Sequence, residues 1–132
     1  MIKQIDISNY LYILLMLLAF GCGTVMGQDF INGDFDEKIA KDVVAVEFWA
    51  DWNAANQFND LIKLKECSVY RLDIMANADT QAEYNVSAIP TVIKFDNGVE
   101  KARFNPNIMF QLDADKKTVQ HSVDTITLNK FQ

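Results

Sequence analysis

Residues 43 to 56 read VVAVEFWADWNAAN, and this stretch decides the fold. Val43 to Trp49 is a β-branched and aromatic run whose one charge is Glu47. It lacks the polar alternation of a half-solvated strand and predicts a strand buried on both faces. Beyond Trp52 the pattern changes. Phe58, Leu61, Ile62 and Leu64 recur at helical spacing, which predicts a helix over Asn53 to Lys65 with Asn53 as its N-cap. Ala54 and Ala55 favour an unbroken helix there.

Outward from this unit the chain keeps alternating. Upstream, Asp34 to Lys41 (DFDEKIAK) sets Phe35 and Ile39 four apart, one or two helical turns. Downstream, Ser68 to Ile74 (SVYRLDI) reads as a second central strand, and Asp79 to Tyr84 as a short helix begun near Asn77. Thr91 to Phe95 (TVIKF) is a third strand, and Asp96-Asn97-Gly98 is a hairpin turn into Val99 to Phe104. Asn105 to Leu112 is irregular and contains Pro106. Lys116 to Leu128 is an amphipathic helix with Val119, Val123 and Ile126 on one side. The order βα-βαβα-ββα predicts an α/β fold: a central mixed sheet of four to five strands, parallel first and ending in a hairpin, between two helical layers.

Composition bounds the chemistry. The 132 residues suit one domain. A net charge of −6 argues against a nucleic-acid partner. Two cysteines, Cys22 and Cys67, exclude a disulfide-rich scaffold and a four-thiolate metal site, and a single histidine, His121, removes the usual zinc sets. No metal or other cofactor is expected.

Residues 7 to 28 carry no charge, and Leu11 to Phe20 (LYILLMLLAF) resembles the core of a signal peptide behind a short head with Lys3. Val25-Met26-Gly27 offers a cleavage point, giving a leader over residues 1–27 and a domain over 28–132. Ala19-Phe20-Gly21-Cys22 resembles a lipoprotein box in which Cys22 would take a lipid. An uncleaved anchor is the third course, since the uncharged stretch approaches the roughly 20 residues needed to span a bilayer. An ordinary hydrophobic first helix is the fourth. The first three predict export to a periplasm, a cell surface, the medium or a virus particle, with membrane association through residues 7–28 or Cys22.

Several words of the sequence together resemble the thioredoxin family over about residues 29 to 128. Val46 to Trp52 (VEFWADW) is similar to the family's strand ending in Trp-Ala-x-Trp. Ile89-Pro90-Thr91, followed by apolar residues and Asn97-Gly98, resembles its cis-proline loop and terminal hairpin. Val69 to Ile74, running into Asn77 and Ala78, resembles the intervening strand and helix. In that family Trp-Ala-x-Trp is followed by Cys-x-x-Cys. Here Asn53-Ala54-Ala55-Asn56 follows. Dithiol exchange needs an attacking thiolate and a resolving thiol, and a carboxamide is neither.

The resemblance implies roles for the rest of the motif. Trp49 and Trp52 flank the degenerate site of Asn53, Ala54, Ala55 and Asn56. Glu47 falls where the family keeps a buried carboxylate and Arg71 where it keeps a cation, so the two are expected to form a structural ion pair. A cis bond before Pro90 is implied, with the Ile89 backbone open beside Trp52 to pair with an extended peptide. Trp52, Ile89, Pro90 and Thr91 are then the expected partner-binding residues. Ile108, Met109 and Phe110 either cover the core edge or form a second contact patch. Cys67, at the carboxyl end of the predicted helix and beside Glu66, is expected to hold its proton. His121 is expected to face solvent or to be partly packed. The whole predicts a non-enzymatic, redox-inactive protein-binding or structural component, catalytic residues none. The competing reading is an atypical oxidoreductase or chaperone-like protein using Cys67 or a partner's cysteines.

Overall fold

A computed structural model describes residues 29–132. The leader, the cleavage point and the lipidation candidate Cys22 lie outside the described residues. In chain order the elements are α1 (Phe35–Ile39), β1 (Val43–Trp49), two 3-10 segments (Asp51–Asn56 and Asn59–Lys63), β2 (Ser68–Asp73), α2 (Ala78–Glu83), β3 (Thr91–Asp96), β4 (Val99–Phe104) and α3 (Lys116–Asn129). The sheet has four strands in the order β2-β1-β3-β4. β1 runs parallel to β2, with Glu47 opposite Arg71, and antiparallel to β3, which pairs antiparallel with β4. The strand anticipated before α1 shrinks to a bridge between Phe30 and Arg71.

The unbroken apolar run of β1 has its expected consequence. Side chains from this strand enter two cores. On one face Val44, Val46 and Phe48 meet Phe35, Ile39, Leu72, Ile93 and Phe95. On the other, Ala45 and Val92 meet Phe58, Leu61, Leu64 and Val119. Glu47 points into the second side, fully buried. The hairpin turn forms at Asn97 and Gly98, both at positive φ, which Asn and Gly tolerate best. α3 is capped by Asp115, whose carboxylate accepts from the Thr118 N–H at 2.8 Å.

The predicted helix over Asn53 to Lys65 does not form. Two 3-10 segments replace it, broken where Gln57 turns extended and Phe58 leaves helical geometry. The cause is Glu47. Its buried carboxylate accepts from the Phe58 N–H at 2.6 Å, a donor that an α-helix would have sent to its own carbonyl four residues back. Phe58, Leu61 and Leu64 are buried at a spacing of three, the period at which 3-10 side chains eclipse, and Ile62 is exposed. Asn53 is no N-cap: it lies inside the first segment with φ −118° and ψ 24°.

One core member has no counterpart in the sequence reading. Lys94, on β3, is fully buried. Its amine donates to the Val119 carbonyl and, at 2.6 Å, to the Ser122 hydroxyl, and lies 5.6 Å from the Phe104 ring centroid.

Candidate functional site

The degenerate motif follows the carboxyl end of β1 and lies beside the loop that leads into β3. Three carboxamide contacts organise it. Asn53 Nδ2 donates to the Ile89 carbonyl at 3.3 Å and to the Phe110 carbonyl at 3.0 Å. Asn56 Nδ2 donates to Asn53 Oδ1 at 2.9 Å. Asn53 is thus buried and every polar atom of its side chain is engaged. Ala54 is half-buried and Ala55 is exposed. Trp52 is 62% exposed, with its ring edge-on to Phe110 at 6.0 Å. Trp49 packs edge-on against Phe30 at 5.6 Å, and its indole N–H is buried without a partner among the described residues.

The Ile89–Pro90 bond is cis. The Ile89 backbone, expected to lie open, is covered instead. Ile89, Pro90 and Thr91 are all buried, and the Ile89 carbonyl is engaged by Asn53. The Thr91 hydroxyl turns back to the Ala88 carbonyl at 2.7 Å. Ile108, Met109 and Phe110 do not cover the core edge. Ile108 is 98% exposed and Met109 66%, while Phe110 reaches over Trp52.

Beneath the motif, Arg71 Nε donates to Glu47 Oε2 at 3.1 Å with both side chains buried. Burial pushes the Glu47 carboxyl above its ordinary value, opposed by the Arg71 charge and the Phe58 N–H. Both carboxylate oxygens have donors already, the Phe58 N–H on one and the Arg71 Nε on the other.

Cys67 is a free, half-buried thiol between the second 3-10 segment and β2. Its pKa is pushed up to about 11, first by burial, then by Asp124 and Glu66, against the pull of Lys94. The direction matches the expectation from Glu66, but desolvation is the leading cause. His121 is exposed on α3. Among the described residues no group of His, Cys, Asp and Glu side chains has the arrangement of a metal site. The residues missing from the sequence reading are Asn53 as a hydrogen-bond centre, Phe110 as its acceptor and Lys94 as a buried amine. Only Lys94 carries a signal, as a charge set among the apolar Val92, Ile93 and Phe95.

A mixed sheet with a parallel β1–β2 pair, a cis-proline before β3 and a closing hairpin and helix defines the thioredoxin-like class of α/β proteins. Residues 28–115 match the family model described as Thioredoxin, and the chain belongs to that family. It is 33% identical over 76 residues to a thioredoxin of Mycoplasma genitalium, covering 48% of this chain and 69% of that one. A Staphylococcus aureus thioredoxin is 35% identical over 74 residues, covering 51% and 71%. Among solved structures, a thioredoxin variant from Halobacterium salinarum superposes with a TM-score of 0.63 at 18% identity, over 74% of this chain and 88% of that one. An Entamoeba histolytica thioredoxin gives 0.57 at 20% identity, over 74% and 98%. At these identities the structures speak for the fold alone.

Proposed function

We propose that this thioredoxin-family chain is a redox-inactive binding or structural component that grips an extended segment of a protein partner around Trp52 and the backbone at Ile89 to Thr91. The observation that carries the reading is the state of Asn53 and Asn56. Two carboxamides occupy the loop after Trp52, bonded to each other and to neighbouring backbone, where thiol exchange would require two sulfurs. The remaining thiol, Cys67, is protonated at neutral pH and has no second cysteine among the described residues. Trp52 supports the binding half, because an exposed tryptophan supplies a large contact area at low entropic cost. In this reading the Glu47–Arg71 pair fixes the loop's geometry and has no chemical role. The uncharged stretch over residues 7–28 supports a domain that works outside the cytoplasm, and the mass of the mature amino terminus tests that reading.

The test is partner recovery on tagged full-length chain, extracted in mild detergent and analysed by mass spectrometry. Trp52→Ala is expected to cut the recovered partner at least tenfold, and Cys67→Ser to leave it unchanged. Recovery that survives Trp52→Ala but needs Cys67 would overturn the reading in favour of thiol capture.

A further inference from the structure

We infer that residues 105–112 are a strap that covers the Ile89 backbone from within, with Asn53 as its latch, so that an extended peptide binds only after the strap swings away. This rests on the partner-binding reading given under Proposed function. The strap is a built element. Asn105 and Asp113 are joined across its base by a 3.0 Å backbone bond, and Pro106 bridges to Leu112 just above. Its crown is tied by Asn107, whose side-chain oxygen accepts from the Met109 and Gln111 N–H groups at 2.8 and 3.1 Å. The Asn107 carbonyl accepts from the Phe110 N–H at 3.0 Å.

The crown is directed at Asn53 and Trp52 by Phe110. This residue sits at φ 56°, a left-handed conformation costly for a bulky side chain, and it projects its carbonyl to Asn53 and its ring to Trp52. One Asn53 amide nitrogen therefore joins the two sides, Ile89 in the cis-proline loop before β3 and Phe110 on the strap. An incoming strand that pairs with the Ile89 backbone must compete with that carboxamide for the Ile89 carbonyl and with Phe110 for the Trp52 face. The latch is weak enough to open. The Asn53–Ile89 bond is long, and Ile108, Met109 and Phe110 retain large exposed areas, so little apolar burial opposes release.

The experiment uses full-length chain in mild detergent and a fluorescein-labelled octapeptide, Lys-Thr-Val-Thr-Val-Thr-Val-Lys, followed by anisotropy. Amide exchange of residues 107–111 is read in parallel by mass spectrometry. Asn53→Ala removes the latch. Phe110→Ala removes the ring without relieving the positive φ, so it tests the ring contact alone, and at this half-exposed position it leaves the fold intact. Phe110→Tyr keeps the ring and should behave as wild type. Both opening variants are expected to exchange at least tenfold faster over 107–111 and to bind the peptide at least tenfold tighter. Unchanged exchange in both would overturn the latch. Faster exchange with equal peptide affinity in wild type and variants would overturn the gate. Faster exchange with no peptide bound by any of them would remove the extended-segment reading, and the gate with it.

Discussion

Replacing Arg71 with methionine is expected to lower the free energy of unfolding by about 3–5 kcal/mol at neutral pH, the usual cost of stranding one half of a buried ion pair. The guanidinium is 3.1 Å from a carboxylate that is itself fully buried, and methionine fills similar volume without charge. Glu47 would keep only the Phe58 N–H. Glu47→Gln should cost less, because a carboxamide oxygen can still accept from Phe58. The Arg71→Met defect should also depend on pH. Burial already pushes the Glu47 carboxyl up, and loss of the cation pushes it further. The penalty is therefore present above the folded-state pKa and shrinks as acid neutralises the carboxyl. Urea unfolding of both variants at pH 7 and pH 4 measures this. An Arg71→Met defect under 1 kcal/mol at pH 7 would show that the pair does not organise the loop.

Lys94→Met should have the opposite sign, raising stability by roughly 2 kcal/mol at pH 7, since a buried cation is replaced by a thioether of similar length. The amine is fully buried and its pKa is lowered to about 8 from an ordinary 10.5, with desolvation as the main cause. Between those values the unfolded chain holds a proton that the folded chain has lost, so stability rises with pH from about 8. Cys67 works against it. Its thiol is raised to about 11 from 9.0, so over that interval the folded chain holds a proton the unfolded chain has lost and stability falls. The wild type should therefore gain stability from pH 8 to 9, level off above that, and decline after Lys94 is neutral in both states. In Lys94→Met the early gain disappears and only the decline remains. Thermal unfolding at pH 7, 9 and 10.5 separates the two curves, and identical pH profiles would refute the assignment to Lys94.

What the sequence disclosed follows from how local each feature is. β1, β3 and the Asn97-Gly98 turn were readable because continuous apolar runs and a positive-φ pair carry their own physics. The segment after Trp52 misled because Phe58, Leu61, Ile62 and Leu64 satisfy a helix of 3.6 residues per turn. The buried Glu47 carboxylate, eleven residues away, captures a backbone donor and tightens the segment to a period of three. The spacing of Phe58, Leu61 and Leu64 is legible in hindsight. The engagement of Asn53 with Phe110 is a contact across 57 residues, and no short pattern announces it. The burial of Lys94 is not legible locally, because lysines in strands usually face water and its neighbours Ile93 and Phe95 fill the opposite core.

The two asparagines, then, do more than mark absent sulfur. Asn56 orients Asn53, and Asn53 ties the cis-proline loop to the strap, so the loop after Trp52 is held by hydrogen bonds that no redox event alters. In the proposed reading the site is fixed and does not cycle, and among the described residues Cys67, half-buried with its proton held, is the one thiol.

Disulfide reduction tests that claim most directly. Insulin reduction driven by dithiothreitol at pH 7 should proceed at the same rate with the wild-type chain, with Cys67→Ser and with no protein added. A wild-type rate above that of Cys67→Ser would contradict a redox-inactive domain and assign the chemistry to Cys67.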